Sequence, residues 1–402
     1  MSIVKARPKY VLCNVTHIAR LQSSLLDKSK DFAQHLSPTM LNNLLIVGCS
    51  ILIKETVNLN KLKNHVGLLA GNRQTKTDSH YRRLTRFFND KTAQCKLWKW
   101  LVIWLLDYVK RWDGRSRSLY LTLDGTSWQL GNCQIHLLML CLVYRGVSLP
   151  LLWRNLKKKG HSSQQERKRL LQCAMKLYPL AGFCLLADRE YEGKDWFAFL
   201  TDNQINFIIR VPKTAYKANI SAGGRSYGSL LKRALKGRRV SQWFDLEGHR
   251  YQFVALPHQD GPQSADPLVL LVSNLPWSKQ IIAERYRIRW TTECFFKHLK
   301  SNGFDLEELG FQSANKIRLL VAIVAVLYVI CVAEGLRQFN RIRAKKNDPD
   351  EPLLLRESIF RNGYSVVANE LVSIAHFVDW LLAQIRKPLK VPIRLVFFNV
   401  QH

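Results

Sequence analysis

A tyrosine, an arginine, a glutamate and a lysine stand at offsets 0, 3, 7 and 14 in this chain, as Tyr286, Arg289, Glu293 and Lys300. On one continuous helix, turning about 100° per residue, they fall within about 60° of arc, so a phenol, a guanidinium, a carboxylate and an ammonium share one stripe. The opposite side carries Ile281, Ile288, Phe295 and Leu299, an apolar face of the kind a helix buries against a core. Such a stripe is either a solvated salt-bridge ladder or part of a site that handles phosphate, and partners elsewhere decide between them.

Two aspartates qualify as partners. Asp124 closes the half-buried strand pattern Leu119-Tyr120-Leu121-Thr122-Leu123, ahead of the break Gly125-Thr126-Ser127, and Asp188 closes the apolar run Phe183 to Ala187. Each alone reads as a turn former or helix cap. At the ends of apolar strands they lie at a sheet edge, where ligand sites of α/β folds gather. Carboxylates clustered beside nucleic acid suit phosphodiester cleavage or transfer with two divalent cations, because Mg²⁺ takes oxygen ligands, keeps waters and bridges to phosphate.

Charge supplies the substrate class. Sixty-one Lys and Arg against thirty Asp and Glu leave +31 on 402 residues, which points to a polyanion, with DNA or RNA first. The 47% hydrophobic content excludes a disordered chain. No Walker-type loop, GxGxxG, GxSxG or zinc-spaced Cys/His cluster offers a competing chemistry. The nine cysteines form no CxxC pair and read as free thiols of a reducing compartment. No signal pattern opens the chain, and the apolar run Leu319 to Ala333 is shorter than a bilayer span, so a cytoplasmic protein without a membrane segment is expected.

The elements that must position these residues divide into five stretches. Residues 1–113 read as a helical region whose basic segment Asn72 to Phe88, with Arg82 and Arg83 among Tyr81, Phe87 and Phe88, suits DNA binding or a solvated basic face. After the break Asp113 to Ser116, strands at 119–124, 133–144 and 147–153, a helix at 163–178, a strand at 182–187, a helix at 194–202 and a strand at 205–211 make 114–212 the first part of an α/β core. That order predicts a mixed sheet flanked by helices. Residues 213–267 read as a β-rich insertion. The core resumes over 268–336 with a strand at 268–273, the stripe-bearing helix opening near Pro276 and Ser278, and a buried helix at 319–333; 337–402 is a basic helical tail with a charged loop, Lys345 to Glu351.

Three blocks resemble a known family, the DDE transposases of insertion sequence family four. Leu123-Asp124-Gly125-Thr126-Ser127-Trp128 is similar to the family's first-aspartate strand and turn, and Ala187-Asp188-Arg189-Glu190-Tyr191 to its second-aspartate block, followed by Phe207-Ile208-Ile209-Arg210. Tyr286-x2-Arg289-x3-Glu293-x6-Lys300 matches the Tyr-Arg-Glu-Lys signature at every spacing. The resemblance implies a ribonuclease H-like core in which Asp124, Asp188 and Glu293 bind two Mg²⁺ ions, Mn²⁺ substituting, while Tyr286, Arg289, Lys300 and Arg210 hold DNA phosphates. It also implies cut-and-paste action on terminal inverted repeats and target DNA, a homodimer that pairs two ends with 337–402 as a candidate dimer region, and a nucleoid-associated bacterial setting. One departure concerns hairpin ends: Val269 stands where some members place a base-stacking Trp, with Trp243 or Trp277 as substitutes. Two alternatives remain open, a non-catalytic transposon-derived DNA-binding protein or inhibitor, and a metal-dependent nuclease or resolvase on the same core.

Overall fold

The computed structural model describes residues 36–72, 74–110, 120–144, 146–177, 180–258, 266–344 and 357–371. The expected break at Asp113 to Ser116, the charged loop Lys345 to Glu351 and most of the tail lie outside these. The chain divides into two compact units, one formed by 116–128 and 134–295 and the other by 1–115, 129–133 and 296–402.

The first unit is built on a sheet. Its strands are β1 (Tyr120–Leu130), β2 (Cys133–Tyr144), β3 (Val147–Asn155), β4 (Cys184–Ala187), β5 (Asn206–Arg210), β6 (Val240–Leu246), β7 (His249–Pro257) and β8 (Leu268–Ser273), in the order β3-β2-β1-β4-β5-β8-β7-β6. β1, β4 and β5 run parallel, while β2–β3, β5–β8, β7–β8 and β6–β7 are antiparallel. Three meander strands followed by two parallel ones form the ribonuclease H-like mixed sheet. Near-continuous apolar runs such as Leu137 to Tyr144 are buried on both faces, as strands covered by helices must be.

Both strand and helix boundaries carry corrections to the sequence reading. Asp124 does not end its strand; β1 continues six residues further, past the point at Leu123 and Ala187 where its pairing with β4 stops. The segment 213–267 is also less β-rich than its composition implies. It holds two helices, Lys217–Ala222 and Tyr227–Leu235, and its strands β6 and β7 extend the core sheet through β8.

The second unit is helical. It contains α1 (Pro38–Lys54), α2 (Leu59–Leu69), α3 (Thr77–Asn89), α4 (Trp98–Lys110), α11 (Ala314–Ala344) and α12 (Ile359–Glu370), the numbers α5 to α10 belonging to Gln164–Leu177, Lys194–Asp202, the two insertion helices, Lys279–Tyr286 and Trp290–Lys300. Ser37, Asn58 and Ser358 cap α1, α2 and α12 with side-chain oxygens, satisfying amides that a helix start leaves open. α11 is far longer than the expected 319–333 and runs straight through Gly335. It is long and apolar enough to cross a bilayer, yet 89% of its most apolar window is buried in the protein.

Gly335 survives mid-helix because α12 crosses there. A Cβ on Gly335 would strike the Ile359 carbonyl, and one on Gly363 would strike the Cys331 carbonyl. Replacing Gly363 by Ala adds helix propensity of about 1 kcal/mol, but backbone-to-backbone overlap at this crossing costs more, on the order of 1–3 kcal/mol. Gly363→Ala is therefore expected to lower the thermal midpoint of the full chain by several degrees. A raised midpoint in a thermal scan would mean that α11 and α12 do not approach this closely.

Candidate active site

The parallel register of the sheet sets up the site. Leu123 pairs with Ala187, and Ala187 with Ile209, so the next residue on each strand, Asp124, Asp188 and Arg210, forms one row across β1, β4 and β5. Side chains alternate along a strand, and the residues two before this row on the same face, Thr122, Leu186 and Ile208, are apolar or hydroxylic and buried. Tyr120, Cys184, Leu186 and Ile208 belong to a buried cluster that also contains Ile282 and Ile288. One face thus changes from apolar to charged in the direction of the strands.

Over that face runs the segment from Lys279 to Lys300, and it is not one helix. α9 ends at Tyr286, a 3₁₀ turn covers Arg287–Arg289, and α10 begins at Trp290. A 3₁₀ turn eclipses residues three apart, which brings Tyr286 and Arg289 into line. Ile281 does not share the burial of that face: it is exposed, whereas Ile288, Phe295 and Leu299 are buried as expected. α10 is held to the sheet by hydroxyls. Thr292 meets Thr122 of β1 at 2.6 Å and Ser148 of β3 at 3.0 Å, and Thr291 meets Ser148 at 2.7 Å. Thr122 lies two residues before Asp124 and Thr292 one before Glu293, so this contact fixes the distance between the two carboxylates.

Arg289 stands at the centre. Its guanidinium lies 2.5 Å from Glu293, 3.4 Å from Asp124 and 4.0 Å from Asp188. Burial works against its charge, but Tyr286 and the three carboxylates outweigh burial and hold its proton more firmly than usual. Asp124, 18% exposed, has its carboxyl pushed up to about 7, chiefly by burial; Arg289 and the Gly125 amide oppose the rise, while Glu190 and Asp188 add to it. Gly125 is required beside it, since a Cβ there would sit 2.6 Å from the buried His136 Nε2.

The remaining expected residues divide. Arg210 lies 3.9 Å from Asp188 and 2.5 Å from Asp266, which also approaches Arg189 at 3.5 Å. Tyr286 has its hydroxyl shielded from solvent, and burial raises its phenol well above the usual range. Lys300 pairs with Glu307 at 2.9 Å. In the helical unit Arg82 is exposed on α3, whereas Arg83 donates to Asn43 at 2.7 Å and is partly a structural residue. Val269 and Trp277 pack against the buried cluster, and Trp243 is half-buried with Arg250 over its ring. Among the described residues one indole is well exposed, and the sequence reading passed it over: Trp290, next to Arg289, is 51% exposed. Its only signal was position, since it shares the α10 face with Glu293 and Lys297. Asp266, Thr122, Ser148 and Thr292 were passed over as well, for want of any motif around them.

Among the described residues no three His, Cys, Asp or Glu side chains are already gathered around a point that could hold a metal ion. The donor set nevertheless fits a hard divalent cation. Three carboxylates supply only oxygen ligands, and all three already converge on a cation, the Arg289 guanidinium.

Residues 115–330 match the family "Transposase DDE domain". No curated protein matches the chain. Among solved structures it is similar to a piggyBac transposase synaptic complex with hairpin DNA, determined by cryo-EM, at 9% identity and a TM-score of 0.44, covering 95% of this chain and 83% of that one.

The proton affinity of Asp124 has a measurable consequence. Folding raises it from 3.8 to about 7, so the cost of burying the carboxylate is absent below about pH 4, grows as pH rises, and levels above about 7. Asp124→Asn mimics the protonated form. In metal-free thermal scans its stability relative to the parent should be smallest near pH 4 and rise to a plateau above pH 7, by on the order of a few kcal/mol. A difference independent of pH would show that Asp124 is not desolvated.

Proposed function

The chain belongs to the Transposase DDE domain family, and on that premise we propose a cut-and-paste DNA transposase that cleaves the ends of an insertion sequence and joins the freed 3′-hydroxyls to target DNA. The observation that carries this reading is the row of Asp124 and Asp188 on adjacent parallel strands, completed by Glu293 from a helix pinned over them. Asp124, Asp188 and Glu293 would hold two Mg²⁺ ions, or Mn²⁺ in their place. When bound, such ions activate an attacking water or hydroxyl and stabilise the leaving oxygen of a phosphodiester.

The chain's own residues position the DNA. Arg289 and Arg210 offer planar forks that suit phosphate oxygens, Lys300 a point charge, and Tyr286 a stiff ring that walls the site. Trp290, adjacent to Arg289 in the chain, supplies an exposed indole, a surface on which an unpaired base can stack. It takes the part that Val269 cannot, and it makes hairpin ends compatible with this chain. Arg82 and its neighbours on α3 suit the backbone of the terminal repeat, Arg83 contributing through its hold on α1. A homodimer pairing two ends, with 337–402 in its interface, and a cytoplasmic, nucleoid-associated location complete the reading.

The decisive assay uses linear DNA ending in the element's own inverted repeats, with Mg²⁺ and a plasmid target. The parent chain should cut and join. Asp124→Ala, Asp188→Ala and Glu293→Ala should each lose cleavage by at least about a thousandfold while end binding changes little. Binding without cleavage by the parent would favour a non-catalytic derivative, and cleavage without joining a nuclease or resolvase. Trp290→Ala should slow the step that follows nicking more than nicking itself.

A further inference from the structure

We propose that Arg289 is the resident counter-ion of the carboxylate cluster, and that divalent metal enters by exchange with it, releasing the guanidinium to a DNA phosphate. This rests on the reading of Asp124, Asp188 and Glu293 as the metal-binding set.

Geometry is the first ground. One guanidinium reaches all three carboxylates, at 2.5, 3.4 and 4.0 Å, from a 3₁₀ turn sited between the two helices that cover the sheet face. Arg289 is itself largely buried, with 14% of its side chain exposed, and it is the cation on which all three carboxylates converge. A metal ion that took those same oxygens would come within a few ångströms of the guanidinium. Two cations that close in a partly buried site repel strongly, so both cannot hold the same oxygens.

Charge is the second ground. Three carboxylates with one arginine leave the cluster anionic, and a DNA phosphate would add to the excess. Before metal enters, the site therefore repels the group it is meant to receive, and the arginine that should greet the phosphate is occupied. Arg210 is in the same condition, held by Asp266 at 2.5 Å and facing Asp188 at 3.9 Å. Divalent ions reverse the sign of the cluster and free Arg289 in one event. Metal and DNA are thereby coupled through one side chain, each favouring the state that accepts the other.

The test uses the full chain without DNA and measures Mn²⁺ binding by titration calorimetry together with the thermal midpoint, with and without metal. Arg289→Gln should bind Mn²⁺ at least about tenfold more tightly than the parent, because no guanidinium has to be displaced. Without metal it should melt lower than the parent, and Mn²⁺ should raise its midpoint by more than it raises the parent's. Arg289→Lys, which keeps the charge but cannot bridge three carboxylates, should fall between. Equal or weaker Mn²⁺ binding by Arg289→Gln would overturn the exchange. Asp124→Asn and Glu293→Gln separate the two levels: if neither weakens binding by the parent, the triad reading fails, whereas if both do and Arg289→Gln does not tighten it, only the exchange fails. Should Arg289→Gln not fold in metal-free buffer, recovery of folding on adding Mn²⁺ supports the proposal and no recovery overturns it.

Discussion

Three carboxylates brought to one partly buried corner of a sheet repel each other and resist desolvation, and Arg289 is what makes the corner tenable. The segment that carries it breaks between Tyr286 and Trp290, where a 3₁₀ turn joins α9 to α10. α10 must also be held at a fixed height over β1 and β3, which the Thr122, Ser148 and Thr292 hydroxyls accomplish in a buried place where each needs a partner. The strained charge balance, the broken helix and the hydroxyl pins are one solution to one electrostatic problem.

The candidate site residues stood out in the sequence because their types are rare in their surroundings. An aspartate after Leu121-Thr122-Leu123 or after Leu185-Leu186-Ala187 stands out against its strand, and Tyr286, Arg289 and Glu293 recur at helical spacing. Their meeting was less legible, because it depends on register. Nothing local says that Leu123 pairs with Ala187 and not with Leu186. The 3₁₀ turn was hidden for a related reason: residues 286 to 290 carry no glycine or proline to mark it, and only the fold shows Ile282 and Ile288, before and within it, in one buried cluster. Asp266 was invisible since a lone acid before a strand has many uses, and only the fold brings it to Arg210.

The helical unit illustrates the opposite error. The helix expected at 319–333 runs on through Gly335, which is a crossing point, since composition records that a glycine has no side chain but not which backbone exploits the gap. The insertion misled in the same way. Its short strand signals were real, yet whether strands build a separate layer or lengthen an existing sheet is decided by an edge, here that of β8, which periodicity does not describe.

The register of β1 against β4 has a further meaning once the face is considered as a whole. Because side chains alternate, a slip of a single residue would turn Asp188 to the other side of the sheet and bring Ala187 or Arg189 into its place. The same pairing that buries the core also aligns the two aspartates, so neither can be altered alone. A copy with that slip would carry Asp124 and Asp188 on opposite faces of the sheet, where neither Arg289 nor any single ion could meet both.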